Sequence, residues 1–138
     1  MAVLYNASPI PSITSGLQLW LDAGDPRTMF DDTTGGDLVE PDGSIARWED
    51  KSGLGNHAIE ATLSQRPVRK VNQQNRRNTI FFDGGDEFLT PIINFGDVFC
   101  VFKRQNQNQT VFRRVSSAFS RGFLGDAYPT YNTHNQYQ

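Results

Sequence analysis

The stretch that decides the fold is Gly43-Ser44-Ile45-Ala46-Arg47-Trp48-Glu49-Asp50-Lys51-Ser52-Gly53-Leu54-Gly55-Asn56-His57. Ile45 to Trp48 reads as a short strand, with Ile45 on one face and Trp48 buried by the alternation or by the turn that follows. Asp50-Lys51-Ser52-Gly53 and Gly55-Asn56 then form a tight corner. Both glycines reach positive φ at no steric cost, and Asp50, Ser52 and Asn56 carry side chains that bond their own backbone. An aromatic anchor beside a stiff polar turn reverses a chain at a sheet edge. His57 reads as a corner residue making one hydrogen bond, not as a base or ligand.

Working outward, 138 residues suffice for one domain with a core. Ten Phe, 12 Gly and 7 Pro favour short strands joined by turns, and no window repeats apolar residues at helical spacing for three turns. The net charge of −2 argues against a nucleic-acid partner, because phosphate binding needs clustered Lys and Arg. Arg76-Arg77 and Arg113-Arg114 read as solvated strand edges. The single Cys100 excludes an internal disulfide, and its place in Val98-Phe99-Cys100-Val101-Phe102 predicts a small buried core residue. No signal peptide or membrane-length apolar run is evident, so the chain is expected to fold in a reducing cytoplasm.

Toward the N-terminus, residues 1–15 read as an extended arm and residues 16–126 as one sandwich domain, with a polar Tyr/Asn-rich tail at 127–138. Leu17, Leu19 and Leu21 alternate with Gln18 and Trp20, predicting a strand from Gly16 to Asp22 with Trp20 in the core. Residues 27–42 are acidic and turn-rich and read as a long surface loop. Toward the C-terminus, 57–61 and 67–71 read as short strands, 72–78 as a polar excursion and 79–82 as a strong strand. Asp83-Gly84-Gly85-Asp86 reads as a hairpin-type turn. Residues 97–104 are expected to form the most hydrophobic, central strand, with 110–115 pairing back and 122–124 offering one more brief strand. The fold class predicted is all-β, an antiparallel two-sheet sandwich.

Three segments are similar to the opening half of laminin-G-like, concanavalin A-like jelly-roll domains: Gly16 to Asp25, Trp48 to Ala58, and Phe82 to Leu89. Trp20, Asp22, Trp48, Asp50, Ser52, Gly53, Gly55, Phe82, Asp83 and Gly84 carry the motif as structural positions. Arg66-Pro67 also stands where that family commonly has Arg-Pro. The resemblance spans roughly residues 16–104 and implies a jelly roll of the kind found in bacteriophage virion proteins. Such folds often run to about 200 residues. The chain is therefore expected to be either part of a longer protein or a sandwich completed by neighbouring chains.

The candidate chemistry is sparse. Asp83, Asp86 and Glu87 are the paired carboxylates to weigh for glycan cleavage. They sit in a turn, however, and the Glu-x-Asp-x-Glu run that the fold's enzymes place on a central strand is missing. Asp22, Asp25, Asp31, Asp32, Asp37 and Asp42 offer hard oxygen donors suited to Ca²⁺, without the spacing of an EF-hand. No catalytic residue, metal ligand or cofactor is therefore assigned, Ca²⁺ being the one ion these donors suit. Tyr128, Tyr131 and Tyr137 are the candidates for stacking on a sugar. The expected function is a non-enzymatic virion structural or attachment protein: a phage decoration, knob or tail-fibre component. It would assemble in the host cytoplasm with other virion subunits, as a homo-oligomer, and contact host glycans but neither nucleic acid nor membrane. The alternative is a carbohydrate-binding module of a larger bacterial surface or secreted protein.

Overall fold

A computed structural model describes residues 15–94, 97–103, 112–114 and 121–123. The protein is all-β in these residues: short antiparallel strands and two single-turn 3₁₀ segments, Pro26–Thr28 and Leu63–Gln65, with no α-helix among them. Two compact units divide after Asp97.

In the first unit, β1 (Met29–Asp32), β2 (Gly35–Leu38), β3 (Arg47–Trp48) and β4 (Ala58–Ile59) make one sheet in the order β2-β1-β3-β4. The strands β5 (Val68–Gln74) and β6 (Arg77–Phe81) form a separate two-stranded ribbon. Met29 faces Trp48 and Trp48 faces Ala58, so β3 runs through the middle of the small sheet. Met29, Val39 and Ile45 are the buried hydrophobic cluster, with Ala23, Trp48, Ile80 and Phe88 packed against it. Single bridges add Ser44 to Val68 and Ile59 to Leu89, and Ile45 N donates to Pro67 O at 2.8 Å. The decisive stretch thus joins sheet and ribbon through its first residues.

Residues 27–42 are not the long loop expected from their composition; they hold the β1–β2 hairpin. Asp32 Oδ1 accepts from Thr34 N at 2.8 Å and from Thr34 Oγ1 at 2.6 Å, closing the turn through a side chain. Between the pairs Phe30–Leu38 and Asp32–Gly35 the register slips by one residue. Gly36 absorbs the slip at φ +74°, where an added Cβ would lie 2.8 Å from Asp32 Cβ. Acidic, glycine-rich composition masks a strand when carboxylates supply the turn bonds.

Other expectations change as well. Residues 17–22 form no strand, because their backbone is bonded by side chains and by single main-chain contacts from the corner. The excursion at 72–78 is the far end of the β5–β6 ribbon, whose strands run almost to the turn. The Asp83–Asp86 turn does not return the chain onto β6; Leu89 bridges Ile59 instead. Trp20 and Trp48 are half-buried, not wholly internal.

In the second unit, β7 (Phe112–Arg114) pairs with β8 (Arg121–Phe123). The strand near 112 therefore pairs with the chain that follows it, not back onto 97–104. Residues 97–103 form no strand, and Phe99 and Val101 are almost fully exposed at 92% and 104%. Cys100 is exposed too, contrary to the expectation of a buried thiol. Local hydrophobicity named a central strand where no ladder forms.

Candidate functional site

The most heavily bonded place in the first unit is the corner Asp50–His57 and the segment it grips, residues 18–25. Asp50 is buried and its carboxylate is an acceptor hub. Oδ1 takes Trp20 N and Ser52 N, both at 2.8 Å, while Oδ2 takes Ser52 Oγ at 2.6 Å and Asn56 N at 3.0 Å. His57 Nδ1 accepts from Asp50 N at 3.1 Å, securing the hub from behind. Gly53 and Gly55 hold φ +88° and +74°, the backbone reversal that lets one carboxylate reach so many donors. Burial pushes the Asp50 carboxyl up, but the bonds from Ser52 and from the Trp20, Ser52 and Asn56 amides outweigh it. The group is held below the usual carboxylate range.

The next residue, Lys51, completes the grip. Its Nζ donates to Asp22 Oδ2 at 2.9 Å and Asp25 Oδ2 at 3.1 Å, and lies 4.4 Å from the centre of the Trp20 ring. Lys51 N donates to Trp20 O at 2.8 Å, and Asn56 Nδ2 to Gln18 O at 2.8 Å. Arg27 adds a two-pronged pair to Asp25, 2.9 Å from Nε and 3.0 Å from Nη2. The Arg27 bonds first, with those of Lys51, hold the Asp25 carboxyl far below its usual value against the effect of burial. Burial pulls Lys51 down, yet Asp22 and Asp25 raise it overall. In this constellation Lys51 and Arg27 pair with Asp22 and Asp25, while neutral donors hold Asp50, and the arrangement fixes residues 18–25 against the corner.

The motif residues fall into two groups. Trp20, Asp22, Asp50, Ser52, Gly53 and Gly55 belong to this grip. Trp48, Phe82, Asp83 and Gly84 stand at a second place, around Phe88. Phe88 lies 6.1 Å from the Trp48 ring and 6.0 Å, edge-on, from Phe82. Asp83 Oδ1 accepts from Gly85 N at 2.7 Å, Asp86 Oδ2 accepts from Asp83 N at 2.8 Å, and Gly84 takes φ +106°. Burial, with the neighbouring Asp83 charge, raises the Asp86 carboxyl. Asp83 and Asp86 therefore cap their own turn.

The six aspartates weighed for Ca²⁺ are dispersed. Asp22 and Asp25 meet Lys51, Asp31 accepts from Asp37 N, Asp32 closes its hairpin, and Asp42 pairs with Lys70 at 2.7 Å. No group of three or more His, Cys, Asp or Glu side chains is arranged to hold a metal among the described residues. Tyr128, Tyr131 and Tyr137 lie outside the described residues. No helix among the described residues is long and apolar enough to cross a membrane.

Two features escaped sequence reasoning. Arg66 staples three carbonyls, donating from Nε to Glu60 O, from Nη1 to Asp31 O and from Nη2 to Ala61 O at 3.0–3.1 Å. Its position before Pro67 was the only signal. A depression of about 700 Å³ opens beside β2, lined by Asp31, Asp37, Leu38, Val39, Glu40 and Gly43. Its lining comes from a segment whose folding the composition hid. No family model, no curated protein and no solved structure matches this chain.

Proposed function

We propose that this chain is a non-enzymatic structural or attachment protein of a virus particle, bacteriophage in kind, that presents a concanavalin A-like jelly-roll surface and works in contact with other subunits. The observation that supports this reading is the use of its acids. The carboxylates with the strongest claim to chemistry, at Asp83 and Asp86 and around Lys51, bond turns and ion-pair partners within the chain. Contact with other subunits finds support in side chains left in water, with Leu89 and Ile92 exposed at 55% and 87% at the end of the first unit. Exposed apolar side chains suit burial against a neighbouring subunit where they lie in one patch.

Electron microscopy of the protein in its native assembly tests this, together with a glycan array on folded material. Symmetric copies within a particle are the expected result. A solitary protein that binds glycans on the array would instead favour a carbohydrate-binding module, and hydrolysis of any arrayed glycan would overturn the non-enzymatic reading.

A further inference from the structure

The charges of the first unit are sorted along the chain. From Ala61 to Phe82 there is no Asp or Glu, yet Arg66, Arg69, Lys70, Arg76 and Arg77 fall in this span. From Thr28 to Ala46 there is no Lys or Arg, yet Asp31, Asp32, Asp37, Glu40 and Asp42 fall there. The fold turns the first span into the β5–β6 ribbon and the second into the β1–β2 hairpin with its following loop. The two meet at the ribbon's base, where Arg69 Nη1 donates to Val39 O at 2.7 Å and Lys70 pairs with Asp42. Arg66 is spent on three carbonyls.

The far end of the ribbon is different. Asn72 to Arg77 are all exposed, and the guanidinium groups of Arg76 and Arg77 have no ion-pair or hydrogen-bond partner among the described residues. Gln74 pairs with Arg77, leaving Asn75 and Arg76 as a two-residue turn with φ +48° and +61°. That is the mirror-image turn whose second position normally carries glycine. Here an arginine takes it, so a strained backbone site holds a cation at the outermost point of the ribbon. On the acidic side, Asp37 and Glu40 are exposed on the rim of the depression beside β2.

From these observations we infer that the Asn75–Arg77 tip is an interaction surface, and that its partner is the Asp37–Glu40 face of a second copy of this chain. The contact is head-to-tail: tip and acidic face are different patches, so each copy offers one of each and contacts propagate into a ring or a row. A polyanion is the poorer fit, since two arginines on a chain of net charge −2 supply little phosphate neutralisation. The inference rests on the proposed role as a subunit among subunits, and specifies which surfaces meet.

Sedimentation velocity on four samples tests it: wild type, the Arg76→Glu/Arg77→Glu double variant, the Asp37→Lys/Glu40→Lys double variant, and the two variants mixed. Thermal melts establish that each is folded. Wild type should self-associate at low ionic strength and lose the association as salt is raised from about 0.05 to 0.5 M. Each double variant alone should associate at least about tenfold more weakly. The mixture should recover association, because the reversed tip of one matches the reversed face of the other. A monomeric wild type at low salt, folded variants that associate like wild type, or a mixture that fails to recover would each overturn the inference. None of these results bears on whether the protein lies in a particle, which the microscopy decides independently.

Discussion

At the residue scale, Asp50 ties distant parts of the chain together: one buried carboxylate accepts four hydrogen bonds from three residues and spans 30 positions to reach Trp20 N. Asp50→Asn keeps the shape and loses acceptor capacity, leaving a donor facing donors. It should cost about 2–3 kcal/mol in urea unfolding, consistent with an unsatisfied buried group that formerly made charge-assisted bonds. The acid limb follows from the same carboxylates. Asp25 and Asp50 are held below their unfolded value of about 3.9, so their contribution is fully present above that pH and is lost as pH falls through their folded values. Asp86 is raised and has the opposite sign, recovering stability as pH falls past its folded value. Two depressed, well-bonded groups outweigh the one raised group. Stability should therefore decline below about pH 4, and the decline should be shallower in Asp50→Asn when unfolding is followed across pH. Arg76 offers a test in the other direction. Its φ of +61° is strained for a branched-at-nothing but Cβ-bearing residue, so Arg76→Gly should stabilise the isolated chain by about 0.5–1 kcal/mol in the same unfolding assay.

At the element scale, β3 illustrates what sequence reading captures. Ile45, Trp48 and the Asp50 corner were all legible, because strand alternation and turn chemistry agree there. Trp48 nonetheless packs at the core margin against Phe88, and its Nε1 is buried with no hydrogen-bond partner among the described residues. Two substitutions separate packing from polarity. Trp48→Ala should cost about 3 kcal/mol, the low end for a large aromatic because the ring is half-buried. Trp48→Phe should cost less than about 1 kcal/mol, since removing an unpaired buried N–H offsets part of the lost area. Thermal or urea melts of the pair give the comparison. The strand at 79–82 was legible for the same reason as β3: Ile80 and Phe81 precede an Asp-Gly-Gly turn. The β1–β2 hairpin was not, because Asp32 and Gly36 make its turn and bulge with residues that lower strand propensity. Residues 17–22 show the converse error. Their alternation is real, but side chains of the corner took the bonds that a neighbouring strand would have used. The acids that hold Lys51 were visible as acids; what they hold was not, since Asp22 and Lys51 lie 29 residues apart.

For the molecule as a whole, the described core is small. Met29, Val39, Ile45, Ala46 and Ala58 are its buried hydrophobic residues, while Leu38, Leu54, Leu63, Leu89 and Ile92 stay exposed in the first unit. A core of that size leaves little margin over chain entropy. If neighbouring copies cover the exposed side chains, association and folding are linked. The thermal midpoint should then rise with protein concentration, by a few degrees per tenfold as mass action requires. A midpoint independent of concentration would detach stability from assembly.

The grip at Asp50 also sets an order of events during synthesis. Gln18, Trp20 and Asp22 leave the ribosome some thirty residues before Asp50, Lys51 and Asn56, on which their tethers depend. Until the corner emerges, the early segment has nothing to dock on and stays open to chaperones and proteases. Docking can begin once the corner has emerged, ahead of β4 and the β5–β6 ribbon, and damage to the tethers should hasten release of that segment.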